Sequence, residues 1–460
     1  MPEWALSLLT GMVLIFALGA VGVPIAFSLT LAGFLCISLF LNISAALVAI
    51  KVVLFGAVTE AALLPLPLFV LMASVFIASG ASTRAYDSFA RLFGGFRAGL
   101  LVATNGMLAF LGSLMGSSSA AITMVTQMGA PELKARGYSH IAIGGVIAGG
   151  AGLAVVIPPS ILMILYSVVM EVPVIPLFAA GLVPGLLMAF GNTIWIILYT
   201  RFYPPRPVNA AANLSGRADA HTKAPEFSSE ALAAMRGQIT LWGRVRAAGE
   251  LLPLLSVAVI MLGSMFLGFA SVTEGAAVGV LGALLVGLRH LDLKKLGWAL
   301  WNTAQISCFI MMLIVGGRYF GMYFSLTGIS QEFITWIESL PLSGMPLLVS
   351  IMGIFLLLGC VMETISMMLV LVPIAATALV SNGFDPIMLG VLFVINMEMS
   401  LATPPIGGNL FVLAGMGRPY GITFEQIVRG TVPYLIIAGI VILLVARFPI
   451  LATFLADVVQ

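Results

Sequence analysis

Two proline pairs interrupt long apolar runs of this sequence, Pro158-Pro159 in the first half and Pro404-Pro405 in the second. A proline has no amide hydrogen and disfavours helix in the residue before it, so carbonyl oxygens about one turn earlier lose their helical partners. Two further breaks are rich in hydroxyl groups, Gly116-Ser-Ser-Ser119 and Glu363-Thr-Ile-Ser366. Carbonyl and hydroxyl oxygens together suit a hard cation such as Na⁺, and the N-termini of half-helices present amides to an anion.

The overall composition places these breaks inside a membrane. Of 460 residues, 61% are hydrophobic and 8% are charged, and the mean hydropathy is +1.16. A water-soluble surface carries about 25–35% ionisable residues. The composition excludes a soluble enzyme, a nucleic-acid-binding protein and a secreted disulfide scaffold, and runs that are apolar on every face exclude a β-barrel. We therefore predict a polytopic α-helical membrane protein that contacts lipid and no nucleic acid.

The sequence offers neither a transition-metal site nor an energy-coupling motif. His140, His221 and His290 share no ligand spacing, and there is no H-E-x-x-H motif. The G-x-x-x-x-G-K-[ST] loop that binds nucleotide phosphates is also absent. We predict that the protein is not an enzyme, has no cofactor, and binds Na⁺ but no transition metal.

The apolar runs define the candidate membrane spans. About 20 apolar residues are needed to cross roughly 30 Å of hydrocarbon. The candidate spans are 4–22, 24–42, 64–79, 140–170, 176–200, 250–268, 272–288, 298–325, 386–417 and 424–446. The segment 43–63 is apolar but carries Lys51 and Glu60, so it is either an interfacial helix or one more span.

The distribution of basic residues divides the chain into two halves. Seven Lys and Arg residues lie between positions 201 and 246, in the longest polar stretch. Lys and Arg concentrate in cytoplasmic loops. We therefore interpret 201–249 as a cytoplasmic linker between a first repeat, 1–200, and a second repeat, 250–460.

Two apolar segments are predicted to enter and leave the membrane on one side. Segment 99–131 has basic loops at both ends, 84–97 and 134–136, so both ends are placed in the cytoplasm. Segment 345–380 is flanked by loops without Lys or Arg, so both ends are placed outside. Both segments are predicted to be re-entrant hairpins. Irregular backbone at a hairpin tip is tolerated only when it is buried in protein or lines a wet cavity, which indicates a binding site.

The two halves resemble each other at a separation of about 246 residues. Leu111-Gly-Ser-Leu-Met-Gly-Ser117 aligns with Leu358-Gly-Cys-Val-Met-Glu-Thr364, and the two proline pairs align as well. Because the charge pattern gives the copies opposite orientations, we predict an all-α polytopic membrane protein of two inverted-topology repeats, as in secondary transporters. Each repeat has a re-entrant hairpin followed by a transmembrane helix that breaks at its proline pair, at 140–170 and 386–417.

Three segments that contain these motifs resemble a known family. The segments are MGSSSAAITMVTQMGAPELKARGY, AGLAVVIPPSILMILYSVV and NMEMSLATPPIGGNLFVLAGM. They are similar to the large membrane subunit of TRAP (tripartite ATP-independent periplasmic) transporters. The resemblance implies an inner-membrane permease that imports a carboxylate or other organic acid by Na⁺ symport, through an elevator movement. It also implies a small four-helix membrane subunit and a periplasmic substrate-binding protein as partners, with both termini of this chain in the periplasm.

The resemblance further implies which residues bind the ions and the substrate. The first sodium site is expected to contain Ser117, Ser119, Ala154, Ile157 and Pro158. The second sodium site is expected to contain Gly359, Ser400, Thr403 and Ile406. Substrate contacts are expected from Ser118, Pro159, Glu363, Thr364, Ser366, Pro405, Asn409 and Arg318. Most of the sodium ligands are expected to be backbone carbonyl oxygens.

The residues leave alternatives open. The main alternative function is a stand-alone ion-coupled dicarboxylate symporter or ion antiporter of similar inverted-repeat fold, which needs no binding protein. Glu363 either contacts the substrate or is bonded to nearby amides at the rim of the hairpin tip, and the same ambiguity applies to Glu398. Arg318 either meets a substrate carboxylate or directs its charge outward towards water.

Overall fold

The computed structural model describes residues 3–205, 241–339, 342–360, 362–405 and 407–459, which are largely helical. The helices of the first half are α1 Glu3–Ala20, α2 Ile25–Phe40, α3 Ile43–Thr59, α4 Pro65–Ala78, α5 Ala81–Phe93, α6 Gly99–Met115, α7 Ser118–Ala135, α8 His140–Gly150, α9 Leu153–Val156, α10 Ile161–Met170 and α11 Val174–Phe202. The helices of the second half are α12 Leu241–Phe266, α13 Val272–Gly287, α14 Leu293–Leu326, α15 Ile329–Ser339, α16 Met345–Gly359, α17 Thr364–Val370, α18 Val372–Ser381, α19 Pro386–Leu401, α20 Gly408–Gly417, α21 Phe424–Arg447 and α22 Ile450–Val459.

The described helices include several of membrane-spanning length. Five are long and apolar enough to cross a membrane, and up to seven spans result if each bent helix pair is counted as one. Most helix bounds agree with the predicted spans to within a few residues; α21, for example, ends at Arg447 where the sequence predicts 446. The segment 43–63 contains a continuous helix, α3, of 17 residues. At 1.5 Å per residue, α3 is about 25 Å long, which fits either a span or an interfacial helix.

Each predicted hairpin consists of helices that are separated by a short break. After α6, Gly116 adopts a φ of +61°, a conformation that glycine reaches without strain. Ser117 then caps α7 by accepting the Ala120 amide. In the second hairpin, Glu363 caps α17 by accepting the Ser366 amide. A side-chain oxygen at this position satisfies an amide that has no helical partner, so both tips restart a helix within a few residues.

Both predicted broken spans are interrupted at their proline pairs. Pro158-Pro159 separates α9 from α10, and the two parts of this span are bent by 45°. Ser160 caps α10 by accepting the Met163 amide. Pro404-Pro405 separates α19 from α20, and Gly407, with a φ of +48°, precedes α20. Both proline–proline peptide bonds are cis.

The two halves show the same order of helices and make reciprocal contacts. From His140, which begins α8, to Pro386, which begins α19, the separation is 246 residues. In the same way α7 corresponds to α17, α10 to α20 and α11 to α21. Helix α8 packs on α21 and α19 on α11, while α7 packs on α20 and α17 on α10. Such reciprocity is what a two-fold relation produces, and the fold is an all-α polytopic membrane fold of two inverted repeats.

The first hairpin extends beyond its predicted end. The sequence predicts that it ends at residue 131, but α7 continues to Ala135. Glu132 and Arg136 form an i,i+4 ion pair at 3.9 Å. Such pairs support a helix in the turn that contains them, which is why the helix continues past the apolar run.

The ends of the predicted linker, 201–249, are helical. Helix α11 continues to Phe202, and α12 begins at Leu241. The apolar spans therefore run on into charged helical turns, because Arg and Glu are good helix formers and tolerate water. Residues 206–240 of the linker lie outside the described residues.

The longest described helix, α14, lies between the N-terminal helices and the second hairpin. It packs against α2, α3 and α4, and also against α17. Two adjacent glycines allow α14 to pack closely against α2 on one side and α17 on the other. A Cβ atom on Gly316 would lie 2.6 Å from the Ala26 carbonyl oxygen, and one on Gly317 would lie 2.5 Å from Leu369 Cβ. Because α14 has no side chain at these positions, its backbone reaches both neighbours.

Candidate functional site

The two hairpin tips and the helices on either side of both proline pairs border one cavity of about 510 Å³. Part of its wall is formed by the first hairpin tip, Met115–Ala120, and the second, Met362–Ile365, with residues of α9, α10, α19 and α20 beside them. The rest of the wall comes from α4, α14 and the end of α16, Gly359-Cys360. Small-molecule sites typically enclose about 300–1,000 Å³, so this cavity suits a small solute.

The first predicted sodium site lies at the first hairpin tip. Ser117 and Ser119 line the cavity. Ala154 is fully buried against Gly112 of α6, where a Cβ atom on the glycine would overlap it. Ile157-Pro158 follows at the end of α9. The predicted ligands of the first site therefore lie partly at the hairpin tip and partly at the break between α9 and α10.

The second predicted sodium site lies at the second hairpin tip. Gly359 lies against Ser400 so closely that a Cβ atom would overlap the serine side chain. Thr403 donates its hydroxyl to a carbonyl one turn earlier at 2.7 Å, which leaves the lone pairs of its oxygen free. Ile406, the remaining predicted ligand, lies outside the described residues.

A glycine contact at equivalent positions therefore occurs in both repeats, with the backbone of Ala154 in the first and the side chain of Ser400 in the second. Ala154 and Ser400 are 246 residues apart, and Gly112 and Gly359 are 247 apart. In each repeat a glycine of the hairpin touches a small residue one turn before the proline pair. The contact brings the hairpin against the oxygens that the break leaves without donors.

A hydrogen-bond cluster connects the first tip to the second broken span. The hydroxyls of Ser118 and Ser119 donate to Asn409 Oδ1, both at 3.3 Å. Asn409 is 0% exposed on α20, and its side chain also faces the Glu398 carboxyl. Two residues that the sequence assigned to the substrate, Ser118 and Asn409, are thus bonded to each other across the repeats.

The other predicted substrate residues fall into two groups. Glu363 and Thr364 line the cavity, and Ser366 is buried behind them with its amide bonded to Glu363 Oε2 at 3.1 Å. Pro159 and Pro405 are not among the lining residues; the first is buried and the second is exposed. The hydrogen bond from the Ser366 amide fits the interpretation of Glu363 as a rim residue that is bonded to nearby amides. Because Glu363 also lines the cavity, it lies within reach of a solute.

Arg318 lies away from this cavity. Its Nη2 atom is 3.4 Å from Glu60 Oε2, and both residues line a second cavity together with Glu171. The lining residue of the main cavity nearest to it along the same helix is Ile310, eight residues before Arg318. Along α14 that separation is about 12 Å. The structure does not bring Arg318 together with the other predicted substrate residues.

The sequence interpretation missed a polar pair in the cavity wall. Asn302 Nδ2 donates to Ser74 Oγ at 3.0 Å, and both residues line the cavity. A lone asparagine in the apolar run WALWNTAQIS was the available signal. The neighbouring wall residues of α4 and α14, such as Val70 and Phe309, are apolar. The Asn302–Ser74 pair therefore provides the polar atoms in a part of the described wall that is otherwise apolar.

The cavity is acidic. Its described lining includes the carboxyl groups of Glu363 and Glu398, the latter 4% exposed, and contains no Lys, Arg or His. Among the described residues, no group of three or more His, Cys, Asp or Glu side chains is placed to hold a metal ion. An acidic, partly enclosed site attracts cations, and a carboxylate bound there needs compensation from cations or from the amides at helix N-termini.

Comparison with known proteins relates the chain to one transporter family. Residues 12–451 match the family model described as the DctM component of the tripartite ATP-independent periplasmic transporter. The C4-dicarboxylate TRAP transporter large permease protein DctM of Pseudomonas aeruginosa is 31% identical over 427 residues, which cover 92% of each chain. The ectoine TRAP transporter large permease protein TeaC of Halomonas elongata is 27% identical over 88% of each chain. The 2,3-diketo-L-gulonate TRAP transporter large permease protein YiaN of Escherichia coli is 28% identical over 91% of each chain.

A solved structure supports the fold. The YdaH transporter of Alcanivorax borkumensis, whose structure is described as having an unusual topology, superimposes with a TM-score of 0.58 over 89% of each chain. At 14% sequence identity, this likeness concerns the fold alone. Together with the family match over most of the sequence, it agrees with the inverted repeats described above. The chain belongs to the DctM family, the large permease components of tripartite ATP-independent periplasmic transporters.

Proposed function

We propose that this chain imports an organic acid by Na⁺ symport, as the large subunit of a three-part system. The observation that supports this proposal most is the arrangement of both hairpin tips, and of the helices beside both proline breaks, around one acidic cavity. Secondary transporters place their substrate and coupling ions at such broken helices. The cavity offers hydroxyls, carboxylates and helix N-termini to a solute and its ions.

Two sodium ions are proposed to bind at the equivalent breaks. The first takes oxygens from Ser117, Ser119 and the 154–158 segment, and the second takes oxygens from Gly359, Ser400 and the 403–406 segment. Each set contains carbonyls that a proline pair deprives of helical donors, together with hydroxyl oxygens. The substrate carboxylate is then held between the bound ions and the amides that begin α7.

The transport movement is proposed to be an elevator, in which the hairpins and broken spans slide against α4 and α14. Asn302, in the cavity wall, lies nine residues from the start of α14, and Lys294 and Lys295 mark that end as cytoplasmic. The wall on this helix continues to Ile310, so it lies about 14–26 Å from the cytoplasmic end of a helix that is about 51 Å long. The cavity thus reaches the middle of the helix, the depth at which secondary transporters bind their substrates and ions.

Na⁺ coupling supplies a driving force without nucleotide hydrolysis. One Na⁺ that enters down a potential of 100 mV contributes about 2.3 kcal/mol, and each negative charge of the substrate costs the same amount. With two ions, a monocarboxylate therefore gains about 2.3 kcal/mol from the potential, which corresponds to between about one and two decades of accumulation. A dicarboxylate enters with no net charge and depends on the concentration gradient of Na⁺.

The proposed partners are a small four-helix membrane subunit and a periplasmic substrate-binding protein. The family name describes a tripartite, periplasmic system. Relatives are named for C4-dicarboxylates, for ectoine and for 2,3-diketo-L-gulonate, which supports a small organic solute as the substrate class. The proposed location is the bacterial inner membrane, with both termini in the periplasm.

Reconstitution tests this proposal. The chain is placed in proteoliposomes with its small subunit, and uptake of radioactive C4-dicarboxylates and ectoine is measured with and without the binding protein and an inward Na⁺ gradient. Uptake that needs both the gradient and the binding protein is expected. Equal uptake without the binding protein would favour the stand-alone symporter instead, and uptake that is indifferent to Na⁺ would contradict the coupling.

A further inference from the structure

Asn409 connects the two predicted sodium sites. Its Oδ1 atom accepts hydrogen bonds from the hydroxyls of Ser118 and Ser119, each at 3.3 Å. Ser119 is a predicted ligand of the first site and lies 290 residues away in sequence. Asn409 itself lies at the start of α20, directly after the break that carries Thr403. One buried side chain therefore touches the first tip from the second broken span.

The geometry of this contact orients the Ser119 oxygen. The carbonyl oxygen of an asparagine can only accept, so the serine O–H points at Asn409 and the lone pairs of the serine oxygen face elsewhere. Lone pairs are what a cation needs from a hydroxyl group. Asn409 is fully buried, and its side chain also faces the Glu398 carboxyl.

A second contact continues from the Asn409 segment to the other site. Gly407, two residues before Asn409, donates its amide to the Cys360 carbonyl at 3.2 Å. Cys360 follows Gly359, a predicted ligand of the second site. A continuous path of hydrogen bonds and short backbone links therefore joins Ser119 to Gly359 through Asn409.

We propose that Asn409 is a positioning residue that couples the two sodium sites, so that Na⁺ at one site strengthens binding at the other. This inference rests on the proposed Na⁺ sites. Ordering an irregular tip around an ion costs conformational entropy. Because Asn409 connects the first tip to the second break, the ion that binds first orders both segments. The second ion then binds more tightly, because this conformational entropy has already been lost. Coupling between two sites is reciprocal and is typically about 5- to 150-fold in affinity.

Equilibrium binding of radioactive sodium tests the coupling without any knowledge of the substrate. The full chain is purified with its small subunit, and Na⁺ binding is measured over a range of concentrations. The unmodified protein is expected to bind with a sigmoidal curve and a Hill coefficient of about 1.4–1.9, the values that a 5- to 150-fold coupling gives for two sites. Asn409→Ala is expected to lower the coefficient to about 1 and to raise the half-saturating Na⁺ concentration about 2- to 12-fold, the square root of the coupling factor.

A matched control separates positioning from general packing. Asn396 is also a buried asparagine, on α19, and its amide donates to the Met352 carbonyl at 3.0 Å. Among the described residues its side-chain hydrogen bond goes to Met352 and not to the first tip, so Asn396→Ala is expected to keep the sigmoidal curve. Ser118→Ala removes one of the two bonds to Asn409 without removing a predicted ligand, so an intermediate Hill coefficient is expected.

The outcomes distinguish this inference from the proposed function. Absence of saturable Na⁺ binding in the unmodified protein would overturn both. Two ions that bind independently, or a sigmoidal curve that survives Asn409→Ala, would overturn the coupling alone. Loss of the sigmoidal curve in Asn396→Ala would also overturn the assignment to Asn409. If Asn409→Ala fails to fold, as judged by thermal unfolding, Ser118→Ala decides, and an unchanged Hill coefficient there contradicts the coupling.

Discussion

The two broken spans share one backbone plan but have different surroundings. Pro158-Pro159 is buried, whereas Pro404-Pro405 is exposed. The tips differ as well, since the first carries consecutive serines and the second carries the Glu363 carboxylate. Both repeats nevertheless keep a hairpin glycine against a small residue one turn before the prolines. The difference indicates that close approach of the hairpin glycine to the broken span is the shared feature, while the side chains around it differ between the copies.

A second difference concerns the charges near α14. Arg318 and Glu60 form an ion pair that joins the second repeat to the first. The residues 246 positions from them in the other repeat are Met72 and Ile306, which are both apolar. The ion pair therefore has no symmetric counterpart. We therefore expect the functional residues that the two repeats share to lie at the chain breaks and not at the Arg318–Glu60 pair.

The largest effect is expected where the hairpin glycine meets backbone. A Cβ atom on Gly112 would overlap both Cα and Cβ of Ala154, so Gly112→Ala is expected to destabilise the fold by about 1–3 kcal/mol or more. Gly359→Ala meets only the Ser400 and Met367 side chains, so a smaller loss is expected. Thermal unfolding of the purified variants measures both.

A paired substitution and a control sharpen this first prediction. Adding Ser400→Gly to Gly359→Ala removes the closest obstructing atoms and is expected to restore most of the stability. Gly415→Ala, where nothing lies within 4 Å of the added atom, is expected to leave the unfolding temperature unchanged. If Gly112→Ala were as stable as Gly415→Ala, the close approach in the first repeat would be wrong.

The next largest effect is expected at the sodium ligands. Ser119→Ala and Thr403→Ala each remove one hydroxyl oxygen, one from each repeat. With about 1 kcal/mol per lost contact, the Na⁺ concentration for half-maximal uptake is expected to rise roughly fivefold in each variant. Thr377→Ala serves as control, because this exposed threonine lies outside the cavity and bonds to a carbonyl of its own helix. Unchanged sodium dependence in both variants would remove the site assignment.

The smallest effect is expected at the asymmetric ion pair. The side chains of Arg318 and Glu60 are 25% and 38% exposed, so water screens their attraction. Arg318→Gln is expected to change the free energy of unfolding by about 0.2–1 kcal/mol and to leave the sodium dependence of uptake as it was. Glu60→Gln provides the matched change of the partner. A strong rise in half-saturating Na⁺ in Arg318→Gln alone would place this residue in the ion-binding machinery.

Much of the fold is predictable from the sequence because its signals are local. Each proline pair removes amide donors and breaks a helix wherever it occurs. The lengths of the apolar runs predict the membrane spans, and the positions of Lys and Arg predict their orientation. These signals located the hairpins and both broken spans. Helix ends in charged sequence were less well predicted, since the Glu132–Arg136 pair extends α7 beyond the apolar run.

The pairing of distant residues was not predictable from these signals. Ser119 and Asn409 were both predicted site residues, but nothing in their local sequence indicates that they bond to each other across 290 positions. Arg318 illustrates the same limit, because its partner Glu60 lies 258 positions away. A single arginine in an apolar run indicates function, but the neighbour that neutralises it is determined by the tertiary fold.

The opposite orientation of the two hairpins is tested most directly by the sidedness of the loops that precede them. Single cysteines replace the exposed residues Arg97 and Ser343, before α6 and α16, in a chain whose three native cysteines have been substituted. A membrane-impermeant maleimide is then applied to right-side-out and inverted vesicles. Position 97 is expected to react only from the cytoplasmic face and position 343 only from the periplasmic face. Labelling of both positions from one face would contradict the inverted repeats and the shared cavity that they build.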